Sequence, residues 1–380
     1  MKIVTAFDSF KGSVSSIEAG NAAKEGFSRV SGDVETIVRP LADGGEGTVY
    51  ALVTGTGGRF EDVSVTGPLM EKVCCRYGII PGNVAVIEMS GAAGITLVSN
   101  EQRNPLNTTT YGVGEVILDA INKGCRKFII GIGGSATNDG GVGMLTALGF
   151  DFLDSEGKKI APGAAGLKDL KTISCDNACP TLAECDFQVA CDVTNPLCGD
   201  NGCSAVFGPQ KGADSRMIEY MDKWLGIYAA LAKEVIPDAD PDIPGSGAAG
   251  GMGFALRTFL GANLESGIDI ILRETALEDY IKDADLVVTG EGMLDAQTSM
   301  GKAPAGVAKL AKKHGKTVIA IAGAVTADAG RCNQQGIDAF FPALRRACSL
   351  DEAMDKDNAM KNIADTAEQA LRLIYATKKA

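Results

Sequence analysis

The placement of glycine constrains this chain most: its 48 glycines fall in clusters, and most clusters follow a short β-branched run. Strand, loop, helix is the local order that such a pattern encodes. MKIVTAF reads as a buried strand and DSFKGS as its loop. Ser15 with Glu18 forms a capping box that opens the helix SIEAGNAAKEGFSRV. The unit recurs where VETIVRP leads into LADGGEGT, and where RKFIIGIGGSATNDGG leads into GMLTALG. It recurs again where ADLVVTG leads into EGMLDAQTSMGK and a helix through Val307 to Lys313, followed by the strand KTVIAIAG. Strands alternating with helices predict an α/β fold with a mostly parallel sheet and helices on both faces.

Two stretches break the alternation. Residues from about Asp62 to Arg103 carry hairpin-like patterns, and GFDFLDSEGKKI reads as two short strands around a tight turn. The middle of the chain adds FQVACDVTNPL, a glycine-rich loop and the helix RMIEYMDKWLGIYAALAKEVI; the last helix is expected to begin at a second capping box, Ser349 with Glu352. A length of 380 residues exceeds what one core usually organises. The expected division is a Rossmann-like α/β domain of residues 1–61, 108–148 and 284–380, with an inserted α/β domain of residues 62–107 and 149–283. Two domains also supply a cleft, the expected place for a site.

Hydrophobic residues make up 45% of the chain and charged residues 22%, which excludes the disordered and membrane classes. The start reaches Asp8 without a basic leader or a long apolar span, so a cytoplasmic protein is expected. A formal charge of −12 argues against nucleic acid and anionic membrane as partners, because both need a basic face. It leaves phosphate open, since backbone N–H groups, a few lysines and a metal ion can concentrate positive potential in one pocket. The 11 cysteines lack repeated CxxC spacing and read as free thiols.

In an open parallel sheet ligands collect at the carboxyl ends of the strands, and the polar loops of this chain fall there. DSFKGS offers Asp8, Ser9 and Lys11, and LADGGEGT offers Asp43 and Glu46. GIGGSATNDGG matches the dinucleotide fingerprint through Gly131, Gly133 and Ala136, with Asp151 at the distance of a ribose-binding acid. That makes an NAD-dependent oxidoreductase of a small hydroxy acid the competing expectation. Against it, Asp151 starts a probable hairpin, and Ser135, Thr137, Asn138 and Asp139 suit a phosphate nest better than a bare pyrophosphate turn. A second match, Gly245, Gly247 and Gly250 in PGSGAAGG, follows no strand.

The signals GxxxxGK[ST], HRD and DFG are absent, so any phosphoryl transfer must use another scaffold. The reaction needs alignment of the attacking oxygen, charge neutralisation and a carboxylate to receive a proton. Loop carboxylates stand at Asp8, Asp43, Asp192, Glu291 and Asp295, and loop cations at Lys11, Lys211 and Lys302. Asp192 and Asn195 follow the apolar run FQVAC, where a metal-ligating or general-base role competes with an Asx turn before Pro196. His314, the only histidine, ends a helix and is expected at the surface. Trp224 with Tyr228 reads as a core-facing helical pair.

Taken together, DSFKGS, LADGGEGT, GIGGSATNDGG, NPLCGDNGCSAVFGPQKGA, PGSGAAGG and TGEGMLDAQTSMGK, in this order over essentially the whole chain, resemble the glycerate kinase family, whose bacterial members include glycerate 2-kinases. The resemblance implies two α/β domains with the active site between them, the substrates ATP and D-glycerate, a Mg²⁺ requirement and the product 2-phosphoglycerate. On that reading Asp192 and Asp43 handle the glycerate hydroxyl, Lys11 and Lys302 neutralise the transferring phosphoryl group, and Asp192 with Asn195 holds the metal. Gly133, Gly134, Ser135, Ala136, Thr137, Asn138 and Asp139 cradle the nucleotide phosphates, with Lys211 beside them. Asp8, Ser9, Glu291, Asp295, Gln297 and Thr298 line the substrate side. The expected assembly is a monomer or homodimer. Phe7 stands where many relatives carry proline before the first loop's aspartate.

Overall fold

The computed structural model describes residues 1–296, 298 and 302–378; Gln297 lies outside the described residues. The chain forms two compact units, residues 1–43, 50–56 and 268–380, and residues 44–49 and 57–267.

The first unit is built on a parallel sheet in the order Ala339–Pro342, Thr317–Ala322, Leu286–Gly290, Lys2–Phe7, Glu35–Val38. Its central strands are near-continuous apolar runs because both faces are covered. Ile3, Phe7, Leu286, Val288, Ile319 and Ile321 point into one core with helices Ser16–Ser28 and Lys356–Lys378. The residues between them, Val4, Val287, Val318 and Ala320, are equally buried on the face covered by helix Ala303–Lys313. Phe7 is part of this core and fully enclosed. Its carbonyl accepts from the N–H of Leu41 at 3.0 Å, so sheet pairing rather than a proline ring fixes the entry to the first loop. The capping box forms as the sequence predicts: Ser15 Oγ accepts from the Glu18 N–H and the Glu18 carboxylate accepts from the Ser15 N–H. Gly26 lets two helices touch, since a Cβ there would stand 2.0 Å from the Ala364 carbonyl oxygen.

The second unit holds a six-stranded sheet in the order Asn263–Glu265, Asp186–Ala190, Lys127–Gly131, Val84–Glu88, Lys72–Ile80, Arg59–Thr66. The first four strands run parallel and the last two form the expected hairpin region. Its core packs Phe128 on Phe187 with ring centroids 4.8 Å apart, and Tyr228 is buried within it while Trp224 packs against it.

Three expectations are corrected. Residues 108–148 do not belong with the first sheet, because strand Lys127–Gly131 pairs with Val84–Glu88 and Asp186–Ala190. A βα pattern specifies a parallel strand but not which sheet receives it. Residues 268–283 go the other way, into the first unit. At Ser349 the cap opens only the short helix Leu350–Met354, and the Glu352 carboxylate accepts from Arg346 instead of completing a box. The long last helix, Lys356–Lys378, starts afresh after Asp355, whose Oδ1 accepts from the Asn358 N–H at 3.0 Å.

Candidate functional site

Three parallel strands of the first unit deliver their loops to one edge, two of them acidic. Asp8 follows strand Lys2–Phe7, and its N–H donates to the Gly290 carbonyl at 2.9 Å. Glu291 follows Leu286–Gly290, and its carbonyl accepts from the Gly323 N–H at 3.1 Å, at the end of Thr317–Ala322. Backbone pairing therefore places the start of all three loops side by side. Asp8 is 3% exposed and Glu291 8% exposed. Asp8 Oδ1 accepts from the Ser9 N–H at 2.7 Å, and Lys11 Nζ lies 3.5 Å from Asp43 Oδ2. Thr298 Oγ1 donates to Glu291 Oε1 at 2.6 Å, and the Thr298 N–H donates to Asp295 Oδ1 at 3.0 Å. Lys302 immediately precedes helix Ala303–Lys313 without a side-chain cap bond, and Pro304 fits the first turn.

Electrostatics confirm how crowded the cluster is. Burial, reinforced by the negative charge of Asp43 and then of Glu291, pushes the Asp8 carboxyl up to about 7, against the Ser9 N–H and Lys11. Burial likewise raises Glu291, with Asp295 and Asp43 adding to it and Thr298 and Lys302 opposing. Lys11 is raised: burial works against its charge, and the attraction of Asp43 and Asp8 prevails. A pocket of ≈ 380 Å³ opens beside these groups; Asp8, Lys11, Glu291, Asp295 and Lys302 line it, and so do the apolar Leu344, Leu350, Met354 and Ile363. Sequence reasoning found the polar lining and missed the apolar one. The available signal was Leu350, an apolar residue just after a helix cap; it is 71% exposed.

In the second unit the glycine words lock into one another. The Cβ that Gly250 lacks would stand 2.1 Å from the Thr137 carbonyl, and that of Gly247 2.1 Å from the Pro196 carbonyl. Lys211 is 2% exposed, and its Nζ donates to the Thr137 carbonyl at 2.6 Å. Burial brings its ammonium down to about 8, with Cys203 and Asp139 pulling the other way. Asn138 Nδ2 donates to Ser204 Oγ at 2.9 Å. Asp139 Oδ2 accepts from the N–H and the hydroxyl of Thr110 at 2.8 and 2.9 Å, and Oδ1 from the Gly141 N–H at 3.2 Å. Ala136, Thr137, Asn138 and Asp139 are thus enclosed, with Lys211; Asn138, Asp139 and Lys211 tie the loop to its neighbours, while Thr137 Oγ1 and Asn138 Oδ1 find no hydrogen-bond partner among the described residues. Gly133 and Gly134 are exposed, Gly134 at φ +72°, and Ser135 is at the edge of burial. Asp192 is exposed at the end of strand Asp186–Ala190; its Oδ1 accepts from Ser266 Oγ at 3.0 Å and from the Gly267 N–H at 3.1 Å. Asn195 Nδ2 donates to the Asn201 carbonyl at 2.8 Å.

The dinucleotide reading of GIGGSA loses its supports. A Cβ at Gly131 would stand 2.5 Å from the Gly44 carbonyl, so that glycine serves a close backbone approach within the fold. Asp151 sits in a strand antiparallel to Thr172–Ser174, and it pairs with Lys159 at 3.0 Å and accepts from Asn177 at 2.6 Å. It cannot serve as the ribose acid of a βαβ unit.

Sequence comparison agrees with the geometry. The profile of the glycerate kinase family matches residues 3–375. The chain belongs to the glycerate kinase family. Among its relatives, the glycerate 2-kinase of Escherichia coli K12 is 49% identical over 98% of this chain and 99% of that protein. The glycerate kinase of Bacillus subtilis 168 is 46% identical over 100% of this chain and 98% of its own. A crystal structure assigned as glycerate kinase 2 from Salmonella typhimurium LT2 superposes with a TM-score of 0.92 at 46% identity, covering 100% of both chains. Membership in a kinase family replaces the oxidoreductase alternative. Among the described residues no helix is long and apolar enough to cross a membrane. His314 ends helix Ala303–Lys313, with its Nε2 2.8 Å from Glu278 Oε1.

Proposed function

We propose that this protein transfers the terminal phosphoryl group of ATP to the 2-hydroxyl of D-glycerate, giving 2-phosphoglycerate and ADP in the cytoplasm. Full-length identity to named glycerate kinases supports the reaction, and the observation that carries the site is Asp8. It is a buried carboxylate beside Asp43, Glu291, Lys11 and Lys302, titrating near 7, where a proton acceptor works best. In this reading Asp8 accepts the hydroxyl proton, Ser9, Glu291, Asp295 and Thr298 shape the acceptor side, and Lys11, positioned by Asp43, and Lys302 offset charge on the phosphoryl oxygens. Exposed backbone at Gly133 and Gly134, with Ser135 next to it, takes anionic oxygens as a nest does; Lys211 and residues 136–139 support that loop from within.

Mg²⁺ fits the donors available. No group of three His, Cys, Asp or Glu side chains able to hold a metal occurs among the described residues, and Mg²⁺ at kinase sites typically takes only one or two carboxylates with phosphates and waters. Asp192 and Asn195 offer hard oxygen donors, and Asn195 has its amide nitrogen tied to Asn201, which leaves the oxygen as its ligating atom. Bound there, the ion would neutralise phosphate charge.

The test couples ADP release to D-glycerate, with the product passed directly to enolase, which dehydrates 2-phosphoglycerate and not its isomer. ADP with enolase turnover is expected. ADP without direct enolase turnover refutes the regiochemistry, and no ADP refutes the kinase reading.

A further inference from the structure

We infer that the ≈ 380 Å³ pocket at the carboxyl edge of the five-stranded sheet is a purine-nucleotide site, taking the base between the loop after strand Ala339–Pro342 and helix Leu350–Met354 and directing the phosphates toward Lys11 and Lys302. The inference rests on the kinase reading and adds where the donor binds. The expected nucleotide residues were all in the second unit.

The pocket lies where an open parallel sheet collects ligands, since its walls come from the segments that follow four of the five strands: Asp8 to Lys11, Glu291, Gly323 and Leu344. Its volume falls within the range of about 300–1,000 Å³ typical of small-molecule sites. Its lining combines two chemistries, charged and apolar. Glycerate has an oxygen on every carbon and gains nothing from an apolar wall. A purine ring, flat and largely apolar, gains from Leu344, Leu350 and Met354. Leu350 and Met354 belong to the large hydrophobic side chains left exposed, as does Met293 on the same pocket, at 71%, 37% and 50%. Apolar groups gathered in the open around a concavity mark a ligand surface rather than a core.

Asn362 lines the pocket as well. A carboxamide can both donate to and accept from an adenine edge. In the same lining Lys11 and Lys302 stand among the carboxylates, cations for phosphate oxygens beside the acid proposed to activate the acceptor. Met354 also packs on the first loop, where a Cβ at Gly12 would stand 2.8 Å from its Cε. The helix carrying the apolar wall and the loop carrying Asp8 and Lys11 are thus in contact.

Two variants test this. Ala353→Phe fills the pocket from the half-buried side of helix Leu350–Met354, and Asn362→Ala removes the carboxamide; both sit on helices whose folding is checked by circular dichroism. Ala353→Phe should raise the KM for ATP, and the Kd of a fluorescent ATP analogue without glycerate, by about tenfold or more, with the KM for D-glycerate within about twofold of the parent. Asn362→Ala should lower the preference for ATP over inosine triphosphate, which lacks the 6-amino group, by about tenfold. An active parent whose folded variants keep both ATP affinity and base preference overturns the nucleotide site while the kinase reading stands. A folded parent that binds the analogue but releases no ADP with glycerate overturns the kinase reading and spares the site.

Discussion

Replacing Asp8 by Asn should make the protein more stable and nearly inactive, and the stability gain should depend on pH in one direction. Asp8 is 3% exposed, and burial with Asp43 and Glu291 lifts its carboxyl to about 7, whereas an unfolded aspartate titrates near 3.9. Because the folded value is raised, the folded state holds the proton more tightly than the unfolded chain between about pH 4 and pH 7. Stability is therefore lost as pH rises through that window. At about 1.4 kcal/mol for each tenfold step, ionising Asp8 costs the fold on the order of 4 kcal/mol above pH 8. Asn keeps an oxygen for the Ser9 N–H, which Asp8 Oδ1 accepts at 2.7 Å, and carries no charge to be buried. The difference in unfolding free energy, variant minus parent, should climb from near zero at pH 4.5 to several kcal/mol at pH 8. The probe matters: the single tryptophan, Trp224, lies in the second unit. Amide hydrogen exchange of strands Lys2–Phe7 and Leu286–Gly290 reads the correct unit. Turnover should fall by at least about a hundredfold. A stability difference that stays flat, or shrinks, from pH 5 to pH 8 refutes the claim that a protonatable Asp8 is held there at a cost.

Asp192→Asn should reduce turnover by about a hundredfold or more with an unchanged unfolding midpoint, since Asp192 is exposed; near-normal turnover in the folded variant removes it from the mechanism. Gly26→Ala should destabilise the first unit by about 1–3 kcal/mol, because the new Cβ meets the Ala364 carbonyl at 2.0 Å; exchange of helix Ser16–Ser28 checks it. Lys211 titrates near 8 in the fold, below its unfolded value of about 10.4, so the unfolded chain holds the proton in that window and stability rises with pH across it. Relative to Lys211→Met, the parent should gain about 3 kcal/mol between pH 8 and 10.5, read by urea unfolding on Trp224 fluorescence; no gain means the ammonium is not desolvated.

The strand–loop–helix units were legible because their signals are local: an apolar run, a glycine break, a capping residue. Ser15 and Glu18 need only one turn of helix to find each other. Which sheet a strand joins is decided by partners far away in sequence, and this is why Lys127–Gly131 was expected in the domain of Lys2–Phe7 and pairs with Val84–Glu88 in the other sheet instead. The candidate site divided the same way. Asp8, Lys11, Glu291, Asp295 and Lys302 were visible as polar residues after strands, and they do line one pocket. The apolar wall was not visible, because Leu344, Leu350 and Met354 have no motif of their own. Their meaning arises only when the sheet brings the end of the chain back to its beginning.

Two buried aspartates show how physics separates residues that the sequence treats alike. Asp139 and Asp8 both stand in glycine-flanked loops after apolar runs, and burial raises both. The Asp139 carboxylate accepts from Thr110, Gly141 and Gly143, so its charge is met by fixed donors and the residue works as a brace. Asp8 accepts from Ser9 and faces two further carboxylates, Asp43 and Glu291. A fold selected for stability alone would replace one acid of such a group with an amide. Retaining three, with lysines on the rim, stores repulsion that a cationic or proton-donating ligand relieves, and binding energy is largest where the empty site is least satisfied. The glycine-rich words therefore differ in what their acids face: the word of residues 131–141 meets Asp139 with fixed donors, whereas those around Asp8 and Glu291 bring carboxylates against one another.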